Sequence, residues 1–232
     1  FQKGANLANR GEIEGAIAEY TRAIVLSPLY SEAYLYRGAA LYHKKDLKGA
    51  LSDYDEAERL GSQNPFLYIN RGILYTENQE FEKALADFGK ALSMNPKEPL
   101  AYGSRANLFG KQGKFEEGLR DYDRAIALDP KNSPFYVNRG ILKSKAKDMG
   151  GAIHDYSQAI RLDPKNTEAY LNRGLALTHQ KEFEKATRDF NRAILLDPNE
   201  ADAYFYRGVV KANRGNEEGA AFDYDRAIEL KP

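Results

Sequence analysis

The sequence contains no Cys and no Trp, and neither sign of charge is in excess: 34 Lys and Arg stand against 34 Asp and Glu in 232 residues. Without Cys there is no disulfide, no thiolate metal site and no Cys nucleophile. An oxidising compartment is neither required nor ruled out. Zero net charge leaves no basic excess to grip nucleic acid or anionic lipid, so neither is expected as a partner. No run of 18 apolar residues occurs, so no helix is expected to span a membrane. The opening Phe-Gln-Lys-Gly-Ala-Asn lacks the charged start and apolar run of a secretory signal. The chain also lacks an initiator Met and reads as a fragment of a longer one. Its targeting segment is expected to lie outside the fragment, and the compartment stays unassigned, with the cytoplasm favoured.

What is present is repetition. Pro28, Pro96, Pro130, Pro164, Pro198 and Pro232 follow one period of 34 residues, with Ser62 in the vacant place. Small residues keep the same period at Gly4, Gly38, Gly72, Ala106, Gly140, Gly174 and Gly208, and again at Ala16, Ala50, Ala84, Gly118, Ala152, Ala186 and Ala220. An aromatic column runs Tyr20, Tyr54, Phe88, Tyr122, Tyr156, Phe190, Tyr224, and Ala23, Ala57, Ala91, Ala125, Ala159, Ala193 and Ala227 form a third small column. Tyr34, Tyr68, Tyr102, Tyr136, Tyr170 and Tyr204 stand near each repeat start. Within the stretch from Phe183 to Leu196 the apolar and small residues fall on one helical face. Asp-Pro ends that helix, because Pro lacks the amide donor and keeps the residue before it out of the α region. Gly11, Gly113 and Gly215 mark turns between two helices of one repeat. A single hairpin cannot cover its apolar face, whereas stacked neighbours build a continuous core.

Numbered from Ser31 as position 1, the columns are Tyr at 4, Gly at 8, Ala at 20, an aromatic at 24, Ala at 27 and Pro at 32. This pattern resembles the tetratricopeptide repeat family over the whole chain, without insertion. The pentatricopeptide family, with its 35-residue period, fits less well. The resemblance implies an all-α fold: an α-solenoid, a right-handed superhelix of seven helix-turn-helix repeats, the first truncated. It would form one domain with repeats at about 1–30, 31–64, 65–98, 99–132, 133–166, 167–200 and 201–232. Both ends are expected to be cut, leaving open faces that stack end to end.

The resemblance also implies that the first helix of each repeat lines a concave groove with its positions 2, 5, 6, 9, 12 and 13. Carried onto this chain, those positions include Leu35, Ile69, Val137, Asn70, Ile73, Ser104, Asn107, Lys111, Asn138, Ile141, Lys145, Asn172 and Leu175. Asn70, Ser104, Asn138 and Asn172 recur at position 6, and an amide offers a donor and an acceptor to a peptide backbone. Tolerated surface polarity is the alternative. Gly103, Ser104 and Gly110 are expected to leave a hollow beside Lys111, with Lys111 and Lys145 available to a carboxylate. The family's carboxylate clamp needs Lys at 5, Lys at 2 and Arg at 6, which no repeat has, so clamp-type binding of chaperone tails is not expected. Arg or Lys at position 7 and Asp or Glu at 23 recur in all seven repeats, which favours a structural ion-pair ladder over a phosphate-binding stripe.

No catalytic residue, metal site or cofactor is expected. The three His are scattered, and no phosphate loop of the form G-x-x-x-x-G-K-[ST] occurs. The expected role is a non-enzymatic scaffold holding an extended segment of a protein partner in the groove, through Asn70, Ser104, Asn107, Asn138 and Asn172. The alternatives are a module that self-associates through its ends and the regulatory domain of a larger enzyme.

Overall fold

The computed structural model describes residues 1–231. These form α1 (Gln2–Asn9), α2 (Ile13–Leu26), α3 (Ser31–His43), α4 (Leu47–Arg59), α5 (Pro65–Glu77), α6 (Phe81–Met94), α7 (Pro99–Lys111), α8 (Phe115–Leu128), α9 (Ser133–Lys145), α10 (Met149–Leu162), α11 (Thr167–His179), α12 (Phe183–Leu196), α13 (Ala201–Asn213) and α14 (Glu217–Leu230), with no strand among them. The fold is an all-α solenoid of helix pairs, as the period of 34 implies. Two compact units divide inside α7, residues 1–108 and 109–232. In the first, α1 to α6 pack successively. In the second, α8 to α14 do so, and the first helix α11 also touches the first helices α9 and α13.

Helix ends follow local chemistry. Asp148 caps α10 by accepting from the Gly151 amide at 2.9 Å, and Asn166 caps α11 by accepting from Ala169 at 2.9 Å. At the other end of α10, Asp163 turns extended at φ −135° ahead of Pro164 and stops the helix. Between the two helices of a repeat, position 15 is left-handed. Gly113 takes it at φ 73°, but Lys45, Gln79, Lys147 and Lys181 hold φ of 61–67° without glycine's freedom.

The core is built from the three repeating classes. Ala50, Ala84, Ala152 and Ala186 are fully buried, as are Ala57, Ala91, Ala159 and Ala193. Tyr54, Phe88, Tyr156 and Phe190 lie between the helices with at most 1% of their surface exposed. Position 8 must stay small here: a Cβ on Gly72 would lie 2.7 Å from the Phe88 ring.

Buried charge ties the layers together. Arg71 donates from Nε and Nη2 to both oxygens of Asp87, at 2.8 and 2.9 Å, inside its own hairpin. Its Nη1 reaches back to Asp55 of the preceding repeat at 2.8 Å. Arg139 repeats this with Asp155 and Asp123, and Arg207 with Asp223 and Asn191. Arg37 and Arg173 bind Asp53 and Asp189 in the same fork and reach back to hydroxyls, Thr21 at 3.2 Å and Ser157 at 3.1 Å. Lys3 and Glu19 make a simpler pair at 2.8 Å. Each of these arginines also lies 5.4–5.7 Å from the ring of the Tyr three residues before it.

Two outcomes follow for stability. Arg71→Ala strands the buried Asp87 carboxylate and is expected to cost about 3–5 kcal/mol in chemical denaturation, most of it recovered by pairing Arg71→Met with Asp87→Leu. Lys147→Gly is expected to gain up to about 1 kcal/mol by removing left-handed strain, whereas Gly113→Ala is expected to lose about 1 kcal/mol.

Candidate functional site

The groove positions divide by depth. Leu35, Ile69 and Val137, at position 5, have at most 2% of their surface exposed and belong to the core rather than to an open wall. The other positions are shallower: Asn70, Ile73, Ser104, Asn138, Ile141, Asn172 and Leu175 are half-buried, while Asn107, Lys111 and Lys145 are exposed. No hollow opens at Gly110, because Leu142 of the next first helix fills the space; a Cβ on Gly110 would lie 2.9 Å from it.

In the first unit, the first helices of two successive repeats are cross-linked. The Tyr42 hydroxyl donates to the Glu77 carboxylate, linking α3 to α5. Burial, and then this bond, push the Tyr42 hydroxyl up to about 12. Nearby, Phe1 packs on Tyr20, Tyr30 and Tyr36 with ring centroids 5.0–5.6 Å apart. Asn70 and Ser104 make no side-chain hydrogen bond among the described residues.

In the second unit, Ile141, Lys145, Asn172 and Leu175 line one pocket of about 360 Å³. Ser144 and His179 join them from the same helices, Ala176 from α11 and Tyr206 from α13. Two further lining residues, Met149 and Tyr156, come from α10. Reasoning confined to first helices misses these two. The aromatic column did point to Tyr156, but as a core ring alone. Its hydroxyl lies 3.4 Å from Ser144 Oγ, and burial pushes it up to about 12 despite that contact. Tyr206 is held by stacking on Phe190, centroids 6.3 Å apart. Asn138 is committed elsewhere: its side chain hydrogen-bonds the buried Tyr122 hydroxyl, whose ionisation burial pushes well up. Asn172 makes no side-chain hydrogen bond, and Lys145 and His179 make no ion pair, among the described residues. A donor–acceptor amide therefore faces an apolar concavity with its hydrogen-bonding capacity free.

Neither this pocket nor any other place among the described residues gathers three His, Asp or Glu side chains as a metal site would. Among the described residues, no helix is long and apolar enough to cross a membrane.

The raised tyrosines set an alkaline limit. An unfolded Tyr ionises near about 10, below Tyr42 and Tyr156 in the folded chain. Their stabilisation is intact below about pH 10 and is lost as pH rises through about 12. Ultraviolet titration should show a late-ionising tyrosine class, and Tyr156→Phe should reduce its amplitude and lessen the alkaline loss of stability.

Known proteins agree with the architecture. Profiles described as "Tetratricopeptide repeat" match residues 65–98, 99–132 and 167–200, and another of that description matches 1–65. A profile described as "TPR repeat" matches 147–181. Among solved structures, YrrB, described as a TPR protein with an unusual peptide-binding site, is 26% identical with a TM-score of 0.62, covering 77% of this chain and 92% of its own. A tetratricopeptide repeat protein from Parabacteroides merdae is 22% identical at TM-score 0.74, covering 100% of this chain and 91% of its own. Pseudomonas aeruginosa pilF is 16% identical at TM-score 0.76, covering 87% and 92% respectively. A search of curated proteins finds no match. The period of 34, the small–aromatic–small core and these profiles together place the chain in the tetratricopeptide repeat family.

Proposed function

We propose that the chain is a non-enzymatic scaffold that holds an extended segment of a partner protein against its first helices, anchored in the pocket on α9, α11 and α13. Tetratricopeptide repeat proteins generally mediate protein–protein interactions, and YrrB is described as having a peptide-binding site. The observation that carries the reading is Asn172: its amide is unpaired beside Ile141 and Leu175, in a pocket wide enough for a side chain. A peptide backbone would satisfy that amide while an adjacent side chain fills the apolar floor. Asn70 and Ser104 stand at position 6 in the first unit, also with free capacity, and Ile73 lies one turn beyond Asn70. Asn107, in the first unit, and Lys111, in the second, are each exposed.

Self-association is the second reading, favoured by a different surface. Ala201, Phe205, Tyr224, Ala227 and Ile228 line an apolar pocket of about 390 Å³ on α13 and α14. Ile228 is 64% exposed, whereas its counterpart Ile24, at the same repeat position, is 9% exposed. A second copy covering that face would bury it.

Each reading has its own measurement. Peptides selected from a displayed library on the intact chain should lose about 2–10-fold in affinity with Asn172→Ala, the value of one hydrogen bond. If selection recovers no peptide, or Asn172→Ala leaves affinity unchanged, the pocket is not the anchor. Light scattering over a wide concentration range should show association that Ile228→Glu abolishes; a monomer throughout rejects the second reading.

A further inference from the structure

Resting on the peptide-binding reading, we infer that the pocket on α9, α11 and α13 selects a segment carrying an apolar side chain next to a carboxylate. The floor sets the first half. Ile141, Met149, Leu175 and Ala176 present hydrocarbon, Tyr206 walls it, and about 360 Å³ accommodates a side chain of Leu or Phe size.

The rim sets the second half. Position 13 is the last residue of its helix in α9 and α11, where it is Lys145 and His179, and both line the pocket. No Asp or Glu lines it. A helix C-terminus supplies the equivalent of about half a negative charge, so it offsets only part of a lysine and leaves a positive surplus at Lys145. The acids on the surrounding elements are engaged or distant in sequence. On α10, Asp155 is held by Arg139 and Lys143, and Asp148 caps the helix at Gly151. On α13, Asp202 stands at the opposite end of the helix and pairs with Lys231 at 3.5 Å. Glu168 stands at the opposite end of α11 from His179. Among the three first helices, α11 runs from Glu168 near its start to His179 at its end, whereas α9 ends on Lys145 with no acid in its first turn. A carboxylate-bearing segment therefore meets an unpaired cation at the edge where α9 ends, with no acid lining the pocket to oppose it.

The probe is a phage-displayed library of random octapeptides, selected in parallel on the intact chain and on Lys145→Glu, an exposed substitution whose folding is checked by circular dichroism. The expected result is enrichment of Asp or Glu beside an apolar residue on the parent chain, and of Lys or Arg in that place on the variant. Individual acidic peptides should bind the variant about tenfold more weakly, and added salt should narrow the gap. Selected peptides without an acidic preference, or a preference unmoved by Lys145→Glu, overturn this inference and leave the groove reading standing. Recovery of no peptide on either chain overturns both.

Discussion

A hairpin of two amphipathic helices has an apolar face it cannot cover, so the stability of this chain depends on how one hairpin is fastened to the next. Arginine at position 7 does the fastening. Its fork closes on an aspartate of its own second helix, and its remaining nitrogen holds an acceptor on the second helix of the preceding repeat. Exposed ion pairs are worth little, but these carboxylates are buried: Asp155 and Asp223 are fully enclosed. At Asp223, burial works to raise its ionisation, and Arg207 and Lys211 outweigh it and hold the carboxyl below its ordinary range. Alanine and aromatic layers then fill the space that this register leaves.

Most of that architecture was legible in one sequence. The helix pairs, their Pro stops, the small–aromatic–small core and the link from position 7 to 23 all come from columns that keep one residue class across the chain. What changes class between repeats escaped. The acceptor at position 25 is Thr21, Asp55, Asp123, Ser157 or Asn191, chemically diverse but each able to receive an N–H, so no column betrays the bond. Left-handed turns were visible where Gly stands and invisible at Lys45, Gln79, Lys147 and Lys181, which take the same turn without it.

What the expected groove positions left out was depth. Assigning whole positions to a wall ignores how far each side chain is swallowed by its neighbours. Leu35, Ile69 and Val137 fall inward, Leu142 occupies the space beside Gly110, and Asn138 is engaged by Tyr122. The pocket depends on second-helix residues, Met149 and Tyr156, whose contribution follows from three-dimensional proximity rather than from spacing along the first helix. Where side chains from three successive repeats converge, Asn172 retains the unpaired amide on which the proposed contact depends.

The spacing of the arginine fastener has a consequence for how such chains grow. Arg71 and Arg139 each stand 16 residues from both partners, one upstream and one downstream. A duplication or excision of one whole period keeps both distances, so an arginine at the seam still faces position 23 of its own repeat and position 25 of the one before. Lengthening by whole periods thus preserves the fork at the seam, whereas a slip that is not a multiple of 34 residues breaks a fork and leaves an acid buried without its base.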